Sequence, residues 1–345
     1  MPSKIKTKNK DILFAEVTKL IEECKSFVAQ TANSTITILY WKIGKRINKE
    51  ILANKRAEYG KQIIVSLSEQ LTEKYGDSFS EKNVRRMMQF AEVFPDESIV
   101  VSAIRQLSWT HFIALIPLKQ PLQREFYAEM CRIEKWTVKT LREKIDGMLY
   151  ERTAISKKPD KLIKKELKGL REENILTPDF VFRDPYFLNF LGLKDTYSEK
   201  DLESAILTEI QRFVIELGSD FAFLARQKRI QIDKKDFSID LLFYHRRLKR
   251  LVAIDLKLGQ FEAGFKGQME LYLRWLEKYE MQKGENKPIG LILCTEGNKE
   301  QIELLQLSKA GIKIAEYLTE LPAKKLLQKK LHQAIEISKK RFENR

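Results

Sequence analysis

Cysteine and histidine are scarce in this chain, three of each among 345 residues. Cys24, Cys131 and Cys294 lie far apart and are odd in number, so they form neither a disulfide framework nor a zinc pattern. His111, His245 and His332 share no metal-ligand spacing, which removes histidine-based metal centres from consideration. Long apolar runs are also missing, and none approaches the roughly 20 residues that a membrane-spanning helix requires. The opening MPSKIKTKNKDILF is basic and polar, without the apolar stretch and small-residue site of a secretory signal. The expectation is a reducing cytoplasm and no membrane.

What is present is a globular balance of 43% hydrophobic and 32% charged residues, with a net charge of +15. Residues 1–150 carry 25 basic and 18 acidic side chains, and residues 151–345 carry 38 and 30. An excess spread over both halves suits contact with a long polyanion, and equally a surface kept in solution by its charge. The length predicts two domains.

Residues 1–152 read as helices almost throughout. ILFAEVTKLIEECKSFVAQTANSTITILYWKIGKRINKEI places apolar residues three and four apart. From Lys61 to Phe94 the pattern is helix, short turn, helix, with Ser80 placed to cap the second and Pro95 to end it. That second helix carries Lys82, Asn83, Arg85, Arg86 and Gln89 beside a stripe of Val84, Met87, Phe90 and Ala91. A helix-turn-helix of this kind can offer basic and amide side chains to a DNA groove, or be an ordinary amphipathic helix. Trp41, Trp109 and Trp136 fall among apolar neighbours and are expected in the core. Residues 153–185 are strongly charged, part helix in SKKPDKLIKKELKGLREEN, and read as a linker.

From 186 to 345 the pattern changes. A helix is expected over Glu199–Leu217, then three β-rich stretches, FAFLARQKRIQI, FSIDLLFYHRR and RLVAIDLKLG. A helix near Phe265–Lys278, the strand IGLILCT, a helix near Lys299–Ala310, the strand IKIAEY and a basic terminal helix complete a mixed-sheet α/β layout.

The chemistry concentrates on Asp240 and on Asp255-Leu256-Lys257. Side chains alternate along a strand, so Asp255 and Lys257 share a face, while Asp240 sits among Ile239, Leu241 and Leu242. Carboxylates in such company are usually paired or bound to metal. Two converging carboxylates can hold Mg²⁺ beside a phosphate, with Lys257 stabilising developing charge, although a buried ion pair fits the same spacing. On the preceding helix Glu203 lies on the stripe of Ile206, Leu207, Ile210, Val214 and Leu217 and should face the sheet. Glu209 falls about 120° away, near Arg212 and Glu216, on what reads as a solvated face.

The order helix-Glu, strand-Asp, strand-(D/E)-x-K, helix resembles the PD-(D/E)XK nuclease superfamily. More closely, DPYFLNFLGL, DLESAI, FAFLARQKRI, FSIDLLFYHRRLKRLVAIDLKLGQF and GQMELYL resemble the bacterial YhcG-like nuclease family. YWKIGKRI, FSEKNVRRMMQFAEVFP, LSWTHFIALI and REFYAEMCRIEKW extend the resemblance through the first half. It implies an all-helical, helix-turn-helix-like N-terminal domain before a restriction-endonuclease-like PD-(D/E)XK domain. Glu203, Asp240, Asp255 and Lys257 would be catalytic, the three acids holding Mg²⁺ or Mn²⁺. Gln268, Tyr272 and Gln227 would support the site, and Arg226 would join Lys82, Asn83, Arg85 and Arg86 in contacting DNA. His245 could reach phosphate or be a surface imidazole. RNA stays open as a substrate, and a homodimer is expected if both strands are cut by a single-site core. An adaptor with an inert nuclease core, or a protein-interaction module, are the alternatives.

Overall fold

The computed structural model describes residues 3–53, 57–104, 106–193, 196–218, 220–297 and 299–343. The chain divides into two units, Met1–Ile145 and Asp146–Arg345. Among the described residues no helix is long and apolar enough to cross a membrane.

The first unit is helical: α1 Ser3–Ala53, α2 Ala57–Tyr75, α3 Glu81–Val93, α4 Glu97–Ile104, α5 Trp109–Leu115, α6 Pro121–Glu134, and α7 from Val138. Its centre is the crossing of α1 and α3. Gly44 makes that approach possible, because a Cβ there would meet the Met87 carbonyl oxygen at 1.8 Å. Around the crossing, Val84, Met87 and Phe90 of α3 are fully buried, and Phe90 packs on Trp109 and Phe112. Trp41 is buried and donates from Nε1 to the Phe94 carbonyl at 2.7 Å. The tryptophans are therefore mostly core, as their spacing predicts.

The second unit opens with α8 Leu149–Arg152, α9 Asp160–Glu173 and α10 Pro178–Val181. Here the structure differs from the linker reading of residues 153–185. α9 buries Ile163, Leu167 and Leu170, and Val181 and Phe182 enter the core of the sheet. The charge of this stretch lies on the outward face of an amphipathic helix, which composition alone averages away.

A six-stranded sheet follows, made of β1 Tyr186–Phe187, β2 Phe221–Ile232, β3 Lys235–His245, β4 Arg250–Leu256, β5 Ile289–Cys294 and β6 Ile312–Leu318. The spatial order is β1-β6-β5-β4-β3-β2, with β2, β3 and β4 antiparallel and the other neighbours parallel. The two-residue β1 has too short a pattern to be read from sequence. Helices α11 Glu199–Thr208 and α12 Ile210–Leu217 replace the single expected helix, which breaks at Glu209. They cover Leu241, Phe243, Val252, Ile254 and Leu256. On the other face α13, Ala263–Tyr279, packs with Leu251, Ala253 and Ile292. α14 Lys299–Leu304 and the basic α15 Lys324–Glu343 complete the unit.

Candidate active site

Strand register brings the two aspartates together. Leu241 pairs with Ile254, and one step further along stand Asp240 and Asp255. Asp240 Oδ2 accepts from the Leu256 backbone N–H at 2.9 Å, which fixes it over the end of β4. Asp255 is buried, its side chain only 3% exposed. Its Oδ2 lies 3.1 Å from Lys257 Nζ, an ion-pair distance, yet lacks an aligned hydrogen-bond donor. We therefore regard the contact as charge attraction without a saturated hydrogen bond. Burial pushes the Asp255 carboxyl up, Lys257 draws it back and Asp240 raises it again, leaving it at about 7. Burial opposes the Lys257 ammonium, but Asp255, Glu199 and Asp240 outweigh it and hold its proton more firmly than in an ordinary lysine.

Glu203 reaches the same place from α11. Gln227 Nε2 donates to Glu203 Oε2 at 2.8 Å and to Asp240 Oδ1 at 3.2 Å, while Ser238 Oγ donates to Gln227 Oε1 at 2.7 Å. Gln227 does this from within β2 with φ +44, a left-handed conformation uncommon outside glycine, just beyond a register shift between Phe223 and Ala225. Strain of that kind persists where the surroundings enforce it and clusters at functional sites. Glu199, one turn before Glu203, accepts from the Leu258 N–H at 3.1 Å and steadies the chain after β4. The sequence reading passed over Glu199, although its i, i+4 relation to Glu203 was a usable signal. Glu199, Glu203, Arg226, Gln227, Asp240 and Leu256 line one cleft.

The supporting pair sits on α13. Gln268 Nε2 donates to the Tyr272 hydroxyl, whose ring is buried, and burial raises the phenol's pKa, as do Asp255 and Asp240. Lys257 Nζ lies 5.3 Å from the Phe265 ring centroid at the start of the same helix. Arg226 is exposed at the cleft rim.

Two expectations are corrected. His245 is not on the surface: it is 2% exposed, stacks edge-on to Phe221 and accepts at Nδ1 from the Leu248 N–H at 3.1 Å. Burial depresses its pKa to about 4, so it is a neutral part of the core. Glu216 is not on a solvated face either, because the helix break at Glu209 rotates α12. Its carboxylate accepts from Arg152, from Arg183 at 3.2 Å and from the Phe187 backbone at 2.9 Å. Glu209 pairs with Arg212, at 3.5 Å.

In the first unit, α3 exposes Lys82 and Arg85 on the side away from its buried stripe. Arg85 is paired with Glu81 at 2.7 Å, and Arg86 donates to Asn83 Oδ1 at 3.3 Å.

The donors around the cleft are carboxylate oxygens, the ligand type of Mg²⁺ and related hard cations. The buried Asp255 oxygen without an aligned donor is the feature a cation would satisfy. Among the described residues no three acidic, histidine or cysteine side chains stand together closely enough to hold a metal ion as placed. The Gln227 amide stands between Glu203 and Asp240 and donates to both. The donor chemistry of Asp240 and Asp255 is of the kind a divalent cation takes.

Residues 179–332 match the family described as the YhcG PDDEXK nuclease domain, and residues 16–152 match the DUF1016 N-terminal domain. Over 343 residues the chain is 33% identical to the protein named "Putative nuclease YhcG" of Escherichia coli (strain K12), covering 90% of this chain and 91% of that one. A solved repair endonuclease from Pyrococcus abyssi is similar over 38% of this chain and 50% of its own, at 21% identity and a TM-score of 0.27. A helical N-terminal region before a PD-(D/E)XK mixed-sheet domain is thus the fold both expected and found.

Proposed function

Because the chain belongs to the YhcG family of PDDEXK nucleases, we propose that it hydrolyses phosphodiester bonds of DNA with the help of a divalent cation. The observation that carries this reading is the buried, under-satisfied Asp255 facing Asp240 beside Lys257. A carboxylate so placed costs stability unless its oxygens are used, and converging acids next to a lysine suit phosphoryl chemistry.

Asp240, Asp255 and Glu203 would hold Mg²⁺, or Mn²⁺ in its place. When bound, the ion would polarise the scissile phosphate and make water a better nucleophile. Lys257, which keeps its proton, presents positive charge to a phosphate oxygen as negative charge builds there. The Leu256 N–H holds Asp240 in position, and Gln227 fixes the separation of Asp240 and Glu203. Gln268 and Tyr272 offer a braced hydrogen-bonding pair beside the acids. Arg226 at the rim is a phosphate contact. In the first unit, α2, the short turn at Asp77–Phe79 and α3 would act as a helix-turn-helix, with Lys82, Asn83, Arg85 and Arg86 toward DNA. Three free thiols accord with a reducing cytoplasm.

The test is incubation with linear, circular and branched DNAs and with an RNA, each with Mg²⁺, with Mn²⁺ and with EDTA. Cleavage of DNA that requires the cation is the expected result. Failure on every DNA, or cleavage that survives EDTA, overturns the proposal.

A further inference from the structure

Among the described residues, the first part of α1 holds an apolar face that the helices of its own unit leave exposed. Between Phe14 and Asn33 every side chain described is exposed, including Phe14 at 75% and Phe27 at 68%. Phe14, Val17, Ile21, Cys24 and Val28 follow one another at steps of three, four, three and four. That is the alternation of a coiled-coil seam, extended by Thr31 to 18 residues or about 27 Å. Leu20 and Phe27 widen the seam along one edge.

We propose that this face pairs with the same face of a second copy of the chain, as an antiparallel two-helix seam. Of the five charges in this stretch four are already matched within the helix, Lys25 with Glu22 at 2.9 Å and Lys19 with Glu23 at 3.9 Å, and Glu16 lies off the seam. No charge along the seam therefore selects a different, oppositely charged partner, whereas an apolar surface is complementary to itself across a twofold axis. The antiparallel sense follows from the edges. Parallel pairing sets Leu20 against Lys25 of the other copy, while antiparallel pairing sets Leu20 against Phe27. It also places Val17 opposite Val28 and Ile21 opposite Cys24. Seven such side chains from each copy bury on the order of 1,000 Å² in total, enough for a specific interface.

The full-length chain, without DNA, should sediment at the mass of two copies at micromolar concentration. The double substitution Ile21→Glu with Val28→Glu affects exposed positions only, so the helical circular dichroism should hold while the mass falls to one copy. Ile21→Cys should become cross-linked between copies through Cys24 under a mild oxidant, and the unsubstituted chain should not. A monomeric unsubstituted chain, a dimer indifferent to the double substitution, or a Cys24–Cys24 cross-link overturns the proposal. None of these measurements depends on nuclease activity.

Discussion

Two carboxylates in the second unit lie among basic side chains and end with opposite proton affinities. Glu216, 13% exposed, accepts from Arg152, Arg183 and the Phe187 backbone. Burial would raise its pKa, but the two guanidinium groups outweigh it and hold the carboxyl below the ordinary range. Asp255 has a single ammonium at its side, another carboxylate against it and an oxygen without an aligned donor, and is pushed up to about 7. Two planar guanidinium forks satisfy a carboxylate that one point charge does not. A satisfied buried acid fastens the fold, and an unsatisfied one keeps coordinating capacity for a ligand.

Exchanging each acid for its amide breaks the comparison in opposite ways. Asp255→Asn should lower cleavage by on the order of 10³-fold, measured in single-turnover assays with saturating Mg²⁺. Activity within tenfold of the original would remove Asp255 from the site. Lys257→Ala should do likewise, since it deletes the charge proposed to face the phosphate.

Glu216→Gln should leave two guanidinium groups partly uncompensated and destabilise the second unit by about 3–5 kcal/mol, read by urea unfolding. The sign with pH follows from its depressed pKa. Its stabilisation is present above the unfolded carboxylate range, near 4.3, and is lost as pH falls through the lower folded value. A Glu216→Gln protein as stable as its parent at pH 7 would show that the arginines are held by something else.

Asp255→Asn should act on stability in the other direction. A carboxyl whose folded pKa is raised costs stability as pH rises from about 4 toward 7, because folding then requires either a proton or a buried charge. Without divalent cations the amide should therefore gain about 1–2 kcal/mol at pH 8 and nothing near pH 4. A uniform gain at both pH values would point to packing instead of charge.

How much of this was legible beforehand varies with the physics involved. Alternation along β4 sufficed to place Asp255 and Lys257 on one face, and the helical stripe sufficed to turn Glu203 toward the sheet. Glu216 was hidden because its placement depends on a helix break at Glu209, where φ −103 and ψ 30 leave no local sequence signal. The partners of Glu216 come from α8 and from Arg183, two residues past α10, tertiary contacts that periodicity cannot foresee. The strained Gln227 depends likewise on a register shift between two strands. His245 looked like a strand-end imidazole because its burial is set by Phe221 and Leu248, which the fold supplies.

The smallest expected effect compares two glutamates on either side of that helix break. Glu203 shares the Gln227 amide with Asp240, while Glu209 pairs with an exposed Arg212 at 3.5 Å. Neither exchange for glutamine should change stability by more than about 0.5 kcal/mol, because neither empties the core. Glu203→Gln keeps shape and a carbonyl acceptor but removes one negative charge from the cation's surroundings. The Mg²⁺ concentration for half-maximal cleavage should rise about tenfold, the lower end for loss of a supporting partner at a metal site. For Glu209→Gln it should move by less than about twofold, since an exposed ion pair contributes little and is screened by salt. Metal titrations of cleavage at fixed ionic strength distinguish the two. Equal shifts would mean that Glu203 feels the cation only through the general field of the domain, and its assignment as a ligand would fall.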